Sequence, residues 1–431
     1  MSGPSSSLHG DETTPTDRPS RYAWYVLAAL TVVQIVSYID RQILVILAEP
    51  IKRDLGFTDT QLGFLTGFAF AVVYSTFGVV IARLADQHNR INIVSLTLAF
   101  WSIMTALCGF ASTFVHMLLA RMGVALGEAG TVPPAHSLIS DYFSENRRAF
   151  ALSFYTMGVT VGAALGYLIG GWINDAFGWR TAFWVVGAPG LVLALVVRAT
   201  VRDPRPPGPV RRGGVVLGAI PRDLWAAFKS LWRLPAYRFA VMGFALYGFA
   251  GWGLSAWSGV YLIRVHGLSS SDAGFYLFAA SMIAGTIGTL TSGLVTDRLV
   301  LKDRRFYFWI PGVAMLAIMP VSLALFTTGD AGMAVGLMFP WEFCSIFVAP
   351  PVFAAVVALA PKPMRATAVS INLLLVNFVG MGLGPQIVGV LSDAFAAYAG
   401  DDSLRYALCI VSVAQLAAAV VFFAGAKTLR R

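Results

Sequence analysis

The chain has 431 residues, of which 57% are hydrophobic and 12% charged, with a mean hydropathy of +0.71. A soluble domain carries roughly a quarter charged residues, so this composition cannot clothe a water-exposed surface, and apolar stretches of about twenty residues, the span of a bilayer core, recur along the chain. Collagen, disorder, a disulfide framework and a soluble enzyme are excluded together, because 42 glycines keep no three-residue period and 3 cysteines cannot staple a fold; the net charge of +9 falls in loops, so no nucleic-acid partner is expected.

In chain order, residues 1–21 are polar and rich in Ser, Thr and Pro, with no apolar stretch ahead of a cleavage site, and read as a disordered cytoplasmic tail. Spans follow near residues 22–46, 60–82, 91–112, 114–136, 148–174 and 181–200, then near 239–262, 272–296, 306–326, 331–359, 366–392 and 404–426. The expected fold class is an all-α polytopic membrane protein of twelve transmembrane helices. It divides into an N-terminal six-helix bundle (22–200), a cytoplasmic linker (201–237), a C-terminal six-helix bundle (238–427) and a short cytoplasmic tail (428–431). Within the linker, Pro204, Pro206, Pro207 and Pro209 break the apolar pattern, and Leu217 to Arg233 has the alternation of an amphipathic helix lying on the membrane surface.

Basic residues set the orientation. Twelve spans place both termini on one side, and that side holds 24 of the 31 Lys and Arg, against five on the other. By the positive-inside rule the crowded side is cytoplasmic, in a bacterial inner membrane. Cys108, Cys344 and Cys409 stand alone in their spans, so no metal or other cofactor is expected. Nothing in the chain argues for an oligomer, and a monomer surrounded by membrane lipids is the expectation.

Five ionisable residues lie inside spans: Asp40 and Arg41 in the first, Arg121 and Glu128 in the fourth, and Glu342 in the tenth. A charge at the centre of a membrane helix costs about 2.5–3.5 kcal/mol on insertion scales, so each must face a partner or a wet cavity. The first and fourth helices run in opposite directions, which brings Asp40 and Arg41 to the depth of Arg121. Glu128 lies two turns further along the same face as Arg121, about 10 Å deeper by the helical rise. The set forms a polar ladder on one wall of the N-terminal half. Asp40 and Glu128 are the expected proton carriers, and Arg41 and Arg121 the expected hosts of an anionic head group, whose oxygens match the guanidinium fork. A permanently paired structural network is the alternative. Glu342, between Pro340 and Pro350, is placed near the substrate path, as are Asn372 and Asn377 in the eleventh span. Trp252, Trp257, Tyr261, Tyr276 and Phe278 could line an acyl-chain pocket, with interfacial packing the plainer account; His136 reads as an interfacial histidine.

A shift of 218 residues superimposes Gly162, Gly166, Gly171, Asp175, Ala176 and Phe177 on Gly380, Gly384, Gly389, Asp393, Ala394 and Phe395. A slightly different shift carries Ala82 and Asp86 onto Gly293 and Asp297. The chain is two related halves, as inverted or parallel repeats build transporters.

Ala82-Arg-Leu-Ala-Asp86-Gln-His-Asn-Arg90 and Gly293-Leu-Val-Thr-Asp297-Arg298 resemble the G-x-x-x-D-R loop signature of the major facilitator superfamily, the first copy with Ala for Gly and Gln for Arg. The resemblance implies a gating role for Asp86, Arg90, Asp297 and Arg298. Gly158, Gly162, Gly166 and Gly170-Gly171 are similar to the superfamily's glycine-rich antiporter motif, and Arg121 to Ala129 resembles its fourth-helix arginine motif. The glycines are expected to serve packing and sliding between the halves. Tyr38-Ile-Asp40-Arg41, Gly127-Glu128-Ala129 and Gly380-Met-Gly-Leu-Gly384-Pro385 are similar to the spinster family, which implies a lysolipid or another amphiphilic anion as substrate.

The expectation is therefore a proton-coupled secondary transporter and not an enzyme. No G-x-x-x-x-G-K-[ST], H-E-x-x-H or G-x-S-x-G occurs to support ATP hydrolysis, zinc proteolysis or a serine hydrolase. The rivals are a multidrug or small organic-anion transporter of the same fold, a lipid-modifying membrane enzyme, and a receptor that binds ligand without moving it.

Overall fold

An apolar run with no water beside it must satisfy its own backbone, and the chain does so with helices. The computed structural model describes residues 19–205 and 220–429. Most of the expected tail, and the proline-rich part of the linker, fall outside these residues. Among them, eleven helices are long and apolar enough to cross a membrane, and the fourth span, broken into two segments, makes twelve.

The N-terminal six are α1 (Arg21–Leu55), α2 (from Asp59 through a π-helical turn at Phe64–Phe68 to Gln87), α3 (Arg90–Cys108), α4 (Phe114–Glu128, then Val132–Tyr142), α5 (Glu145–Phe177) and α6 (Trp179–Thr200). The C-terminal six are α7 (Pro235–His266), α8 (Ser270–Val300), α9 (Phe306–Thr327), α10 (Ala331–Ile346, then Ala349–Leu359), α11 (from Arg365 through a π-helical stretch at Asn377–Leu383 to Ala399) and α12 (Ser403–Ala426). Between the two sets a linker helix, Ile220–Trp232, stacks Trp225 on Phe228 and Phe228 on Trp232.

Several boundaries have local causes. Ser20 caps α1 by accepting from the Ala23 amide, and Gly56 ends it at φ 68°, in the left-handed region that glycine enters freely. The helix runs straight through Pro50, so Lys52 and Arg53 are helical and not loop residues as their charge suggests. The breaks in α4 and α10 are related by the repeat, because each second segment opens on a proline pair, Pro133-Pro134 and Pro350-Pro351, which fits a first helical turn and no interior one.

The glycine stripes pack helices within each half, which corrects the expectation that they slide between halves. A Cβ on Gly162 would meet the Ile35 carbonyl of α1, and one on Gly166 the Ile39 carbonyl; Gly380 and Gly384 are pressed in the same way against Gly248 and Gly253 of α7. Close backbone approach at a spacing of four is a static packing device here. The last glycine of each stripe, Gly171 and Gly389, faces the opposite half, as does Gly382 beside Ala71 of α2.

Among the described residues, the Tyr167 hydroxyl meets Ser255 and Ser258 midway, and the other hydrogen bonds and the ion pairs joining the two halves lie at the end away from the linker. There α2 meets α11 and α5 meets α8.

Candidate substrate and proton site

α1 and α4 carry the buried charges, and the structure joins them crosswise. Arg41 Nε donates to Glu128 Oε2 at 2.5 Å, and Arg121 Nη1 reaches Asp40 Oδ1 at 3.3 Å. Thr105 of α3 donates its hydroxyl hydrogen to the other Asp40 oxygen. Asp40, Arg121 and Glu128 are buried, at 1%, 2% and 1% exposure, while the Arg41 side chain keeps 13%. The Arg41–Glu128 pair follows from side-chain direction: side chains lean toward their helix N-terminus, so Arg41 leans toward the linker end, where Glu128 lies. The Arg41 guanidinium is further caged by the faces of Tyr38, Phe70 and Tyr74, with its carbon 4.9, 5.0 and 4.6 Å from the ring centroids. Glu128 Oε1 and Arg121 Nε are buried without a hydrogen-bond partner.

Arg41 opens into a chamber of about 270 Å³ that also takes in Tyr38, Gln42, Thr66, Trp252 and Ser255. Gln42 and Ser255 are shared with an inner chamber of about 90 Å³ lined by Tyr167, Ser258, Ser281, Trp341 and Glu342. The two chambers between the halves therefore have a cationic wall at Arg41 and a carboxylate at Glu342, and they share Gln42 and Ser255. No ion-pair partner for Glu342 is found among the described residues.

The remaining expected residues are dispersed. Asn372 is fully buried on α11 and Asn377 half-buried at the start of its π-helical stretch, and neither lines the two chambers. Of the five aromatics only Trp252 lines a chamber; Trp257 donates its indole N–H to the Pro385 carbonyl and Tyr261 its hydroxyl to the Leu325 carbonyl, both inside the core. His136 packs edge-on against Tyr155.

At the linker end, Arg90 is buried and gathers three elements. It binds Asp203 just beyond α6 (Nη2–Oδ1, 2.6 Å), Asp141 of α4 (2.5 Å) and the Ser137 hydroxyl (2.7 Å). Burial alone would push the Asp203 carboxyl up, but its bonds to Arg90 and Arg205 outweigh that and hold it well below the usual carboxylate range. Asp297 and Arg298 are exposed, and the Asp86 side chain lies outside what the structure describes.

A cluster at the opposite end was not legible as a site. Arg264 of α7 bonds Asp59 of α2 at 2.6 and 2.8 Å and Glu49 of α1 at 2.7 and 2.9 Å, while Lys52 adds a bond to Asp59 at 2.5 Å. Lys52 and Arg264 read as loop charges, and Glu49 was hidden beyond the expected end of the first span. Asp393, marked by the repeat, is part of the same contact.

The profile of the Major Facilitator Superfamily matches residues 30–385. The chain is 33% identical over its full length to an MFS-type efflux pump of Mycolicibacterium smegmatis, of which it covers 98%. It is 25% identical to protein spinster homolog 1 of Xenopus tropicalis, over 90% of this chain and 78% of the relative. Identity to the D-galactonate transporter of Escherichia coli is 27%, over 88% and 91%. A solved bacterial homologue of the human lysosomal transporter spinster, inward-facing and unoccupied, superimposes with a TM-score of 0.84 at 31% identity, over 95% of this chain and 98% of that one.

Proposed function

Because the chain belongs to the major facilitator superfamily, we propose that it is a proton-coupled secondary transporter carrying an amphiphilic, lysolipid-like anion or zwitterion across the bacterial inner membrane by alternating access. The linker side is cytoplasmic in this reading, and the two halves rock about the chambers between them. The observation that carries it is the Arg41–Glu128 pair at the chamber wall, buried on the glutamate side and open on the arginine side.

The pair couples two events. An anionic head group that takes the Arg41 fork competes with Glu128 for the same donors. Displaced, Glu128 is an unpaired carboxylate in a dry setting, which a proton neutralises at far lower cost than leaving the charge bare. Substrate entry and proton uptake thus favour one another at this site, and Asp40, held by Arg121 and Thr105, is the neighbouring acceptor. Trp252 on the opposite wall offers an apolar surface to an acyl chain.

A small organic anion is the second reading. It draws on the hydroxyls of Tyr167, Ser255, Ser258 and Ser281 in the inner chamber, which can hydrogen-bond a polyhydroxylated acid, and on the relative named as a D-galactonate transporter.

The deciding experiment is flux of labelled lysophospholipid, sphingosine 1-phosphate and D-galactonate in proteoliposomes, with and without a pH gradient, for the wild type and Glu128→Gln. Gradient-driven lysolipid flux that the variant loses supports the proposal. Gradient-driven galactonate flux alone moves the assignment to the second reading, and flux indifferent to both gradient and variant removes the coupling role of Glu128.

A further inference from the structure

The repeat and the contact between the halves coincide at the end away from the linker. Asp175, near the end of α5, accepts from the Ser271 amide in the first turn of α8 at 2.7 Å, and its neighbour Asn174 donates to the Ser270 hydroxyl at 2.9 Å. Asp393, toward the end of α11, accepts from the Asp59 and Thr60 amides in the first turn of α2 at 3.0 and 2.7 Å. Those amides are among the donors that every helix start leaves without an internal partner. Each helix also has a cap of its own, Ser269 on α8 and Thr58 on α2, and each own cap serves the third amide of its turn. The opposite half supplies what the own cap leaves over.

The correspondence extends to the backbone. Shifting by 218 residues carries Asp175 onto Asp393, Gly171 onto Gly389 and Tyr167 onto Pro385; shifting by 211 carries Thr60 onto Ser271 and Gly63 onto Gly274. Gly171 rests on the Ser270 carbonyl and Gly274 on the Tyr167 carbonyl, while Gly389 rests on the Asp59 carbonyl and Gly63 on the Pro385 carbonyl. One joint is built twice, with a carboxylate cap and two glycine contacts each time.

We propose that Asp175 and Asp393 are paired latches that hold the end away from the linker closed, each by capping a helix of the opposite half. Asp175 is exposed and Asp393 half-buried, so water replaces their bonds when the halves part; beside Asp393 the largely buried Arg264 pairs with Asp59 and Glu49 cross the halves as well and must part with it. The two latches grip both edges of the closure, and at the Asp393 edge the Arg264 pairs with Asp59 and Glu49 add to the hold. The inference is independent of which substrate the chambers take.

Spin labels at Phe110 and Tyr398, exposed by 68% and 91% on opposite halves, read the closure as a distance in lipid nanodiscs, in a background lacking Cys108, Cys344 and Cys409. Asp175→Ala and Asp393→Ala should each raise the ratio of long to short distances by roughly two- to thirtyfold, the range expected for losing one helix cap, and the double variant by about the product. Asp→Asn variants, which keep an acceptor oxygen, should fall between alanine and wild type. An unchanged ratio in the double alanine variant overturns the latch. Should the alanine variants fail to fold, Gly171→Ala and Gly389→Ala wedge the same joints with one methyl each; a ratio unmoved in both overturns it equally.

Discussion

Arg41 is held by charge on one side and by three aromatic faces on the other, and the two kinds of contact demand different things of the side chain. Glu128 needs a cation within reach; Tyr38, Phe70 and Tyr74 favour a flat one that can stack. Arg41→Lys keeps the first, weakens the second and loses the fork. We expect it to slow uptake of anionic substrate by about tenfold or more in initial-rate measurements, and to slow an uncharged substrate less; an equal loss for both would make Arg41 a structural residue. Asp203 gives a residue-scale titration at the linker end. Its folded carboxyl lies below its ordinary value, so its contribution to stability is complete above the ordinary Asp range and is lost as pH falls through the region beneath it. Thermal unfolding from pH 7 downward should show the wild type weakening toward acid, while Asp203→Asn starts weaker and changes less. A parallel acid dependence in both would take the Arg90 hub out of the account. The Asp40–Arg121 contact was legible from sequence because two antiparallel helices fix the depth of each residue. Arg41–Glu128 was not, because depth counts Cα atoms and the pairing depends on which way a long side chain leans.

At the scale of the helix, the stripe on α5 is the most exacting feature. Gly162 and Gly166 are pressed on backbone carbonyls of α1, so a side chain there has nowhere to go without moving a main chain. Gly162→Leu should cost on the order of 1–3 kcal/mol as overpacking and appear as a lower melting temperature or loss of folded protein. The same change at exposed Met157 of α5, at 50% exposure, should be silent; similar behaviour at both positions would show that α1 does not approach here. Helix positions were legible to within a turn or so at most ends, since bilayer thickness and apolar length limit each other. α11 is an exception, running seven residues past its expected end at 392 to Ala399, and two others have local causes. α1 continues nine residues past its expected end, through Pro50 and into its charged last turn, because Glu49 and Arg53 pair along the helix while Lys52 finds Asp59. α4 reaches Tyr142 because its break at residues 129–131 restarts a helix on Pro133-Pro134. Hydropathy detects the first twenty apolar residues and is blind to what polar side chains do for one another afterwards.

At the scale of the molecule, repetition in the sequence was legible and its purpose was not. Gly171 and Asp175 matched Gly389 and Asp393 along the chain, but similarity between segments carries no information about which segment each one touches. Only the folded arrangement shows that both sit against the other half. The ends that meet there also provide a direct test of alternating access. Asn174 and Ser270 touch through their side chains at 2.9 Å across the two halves, close enough for cysteines at both positions to be tried as a disulfide. In a background free of Cys108, Cys344 and Cys409, oxidising Asn174→Cys/Ser270→Cys fastens this end shut and leaves the linker end to open. A carrier that must expose its site alternately to each side then binds substrate from the linker side but cannot turn over, and reduction restores flux. A receptor that binds without transport would show no flux in either redox state. Flux that persists after complete cross-linking would mean substrate crosses without this end opening, and rocking of the two halves would have to be abandoned as the mechanism.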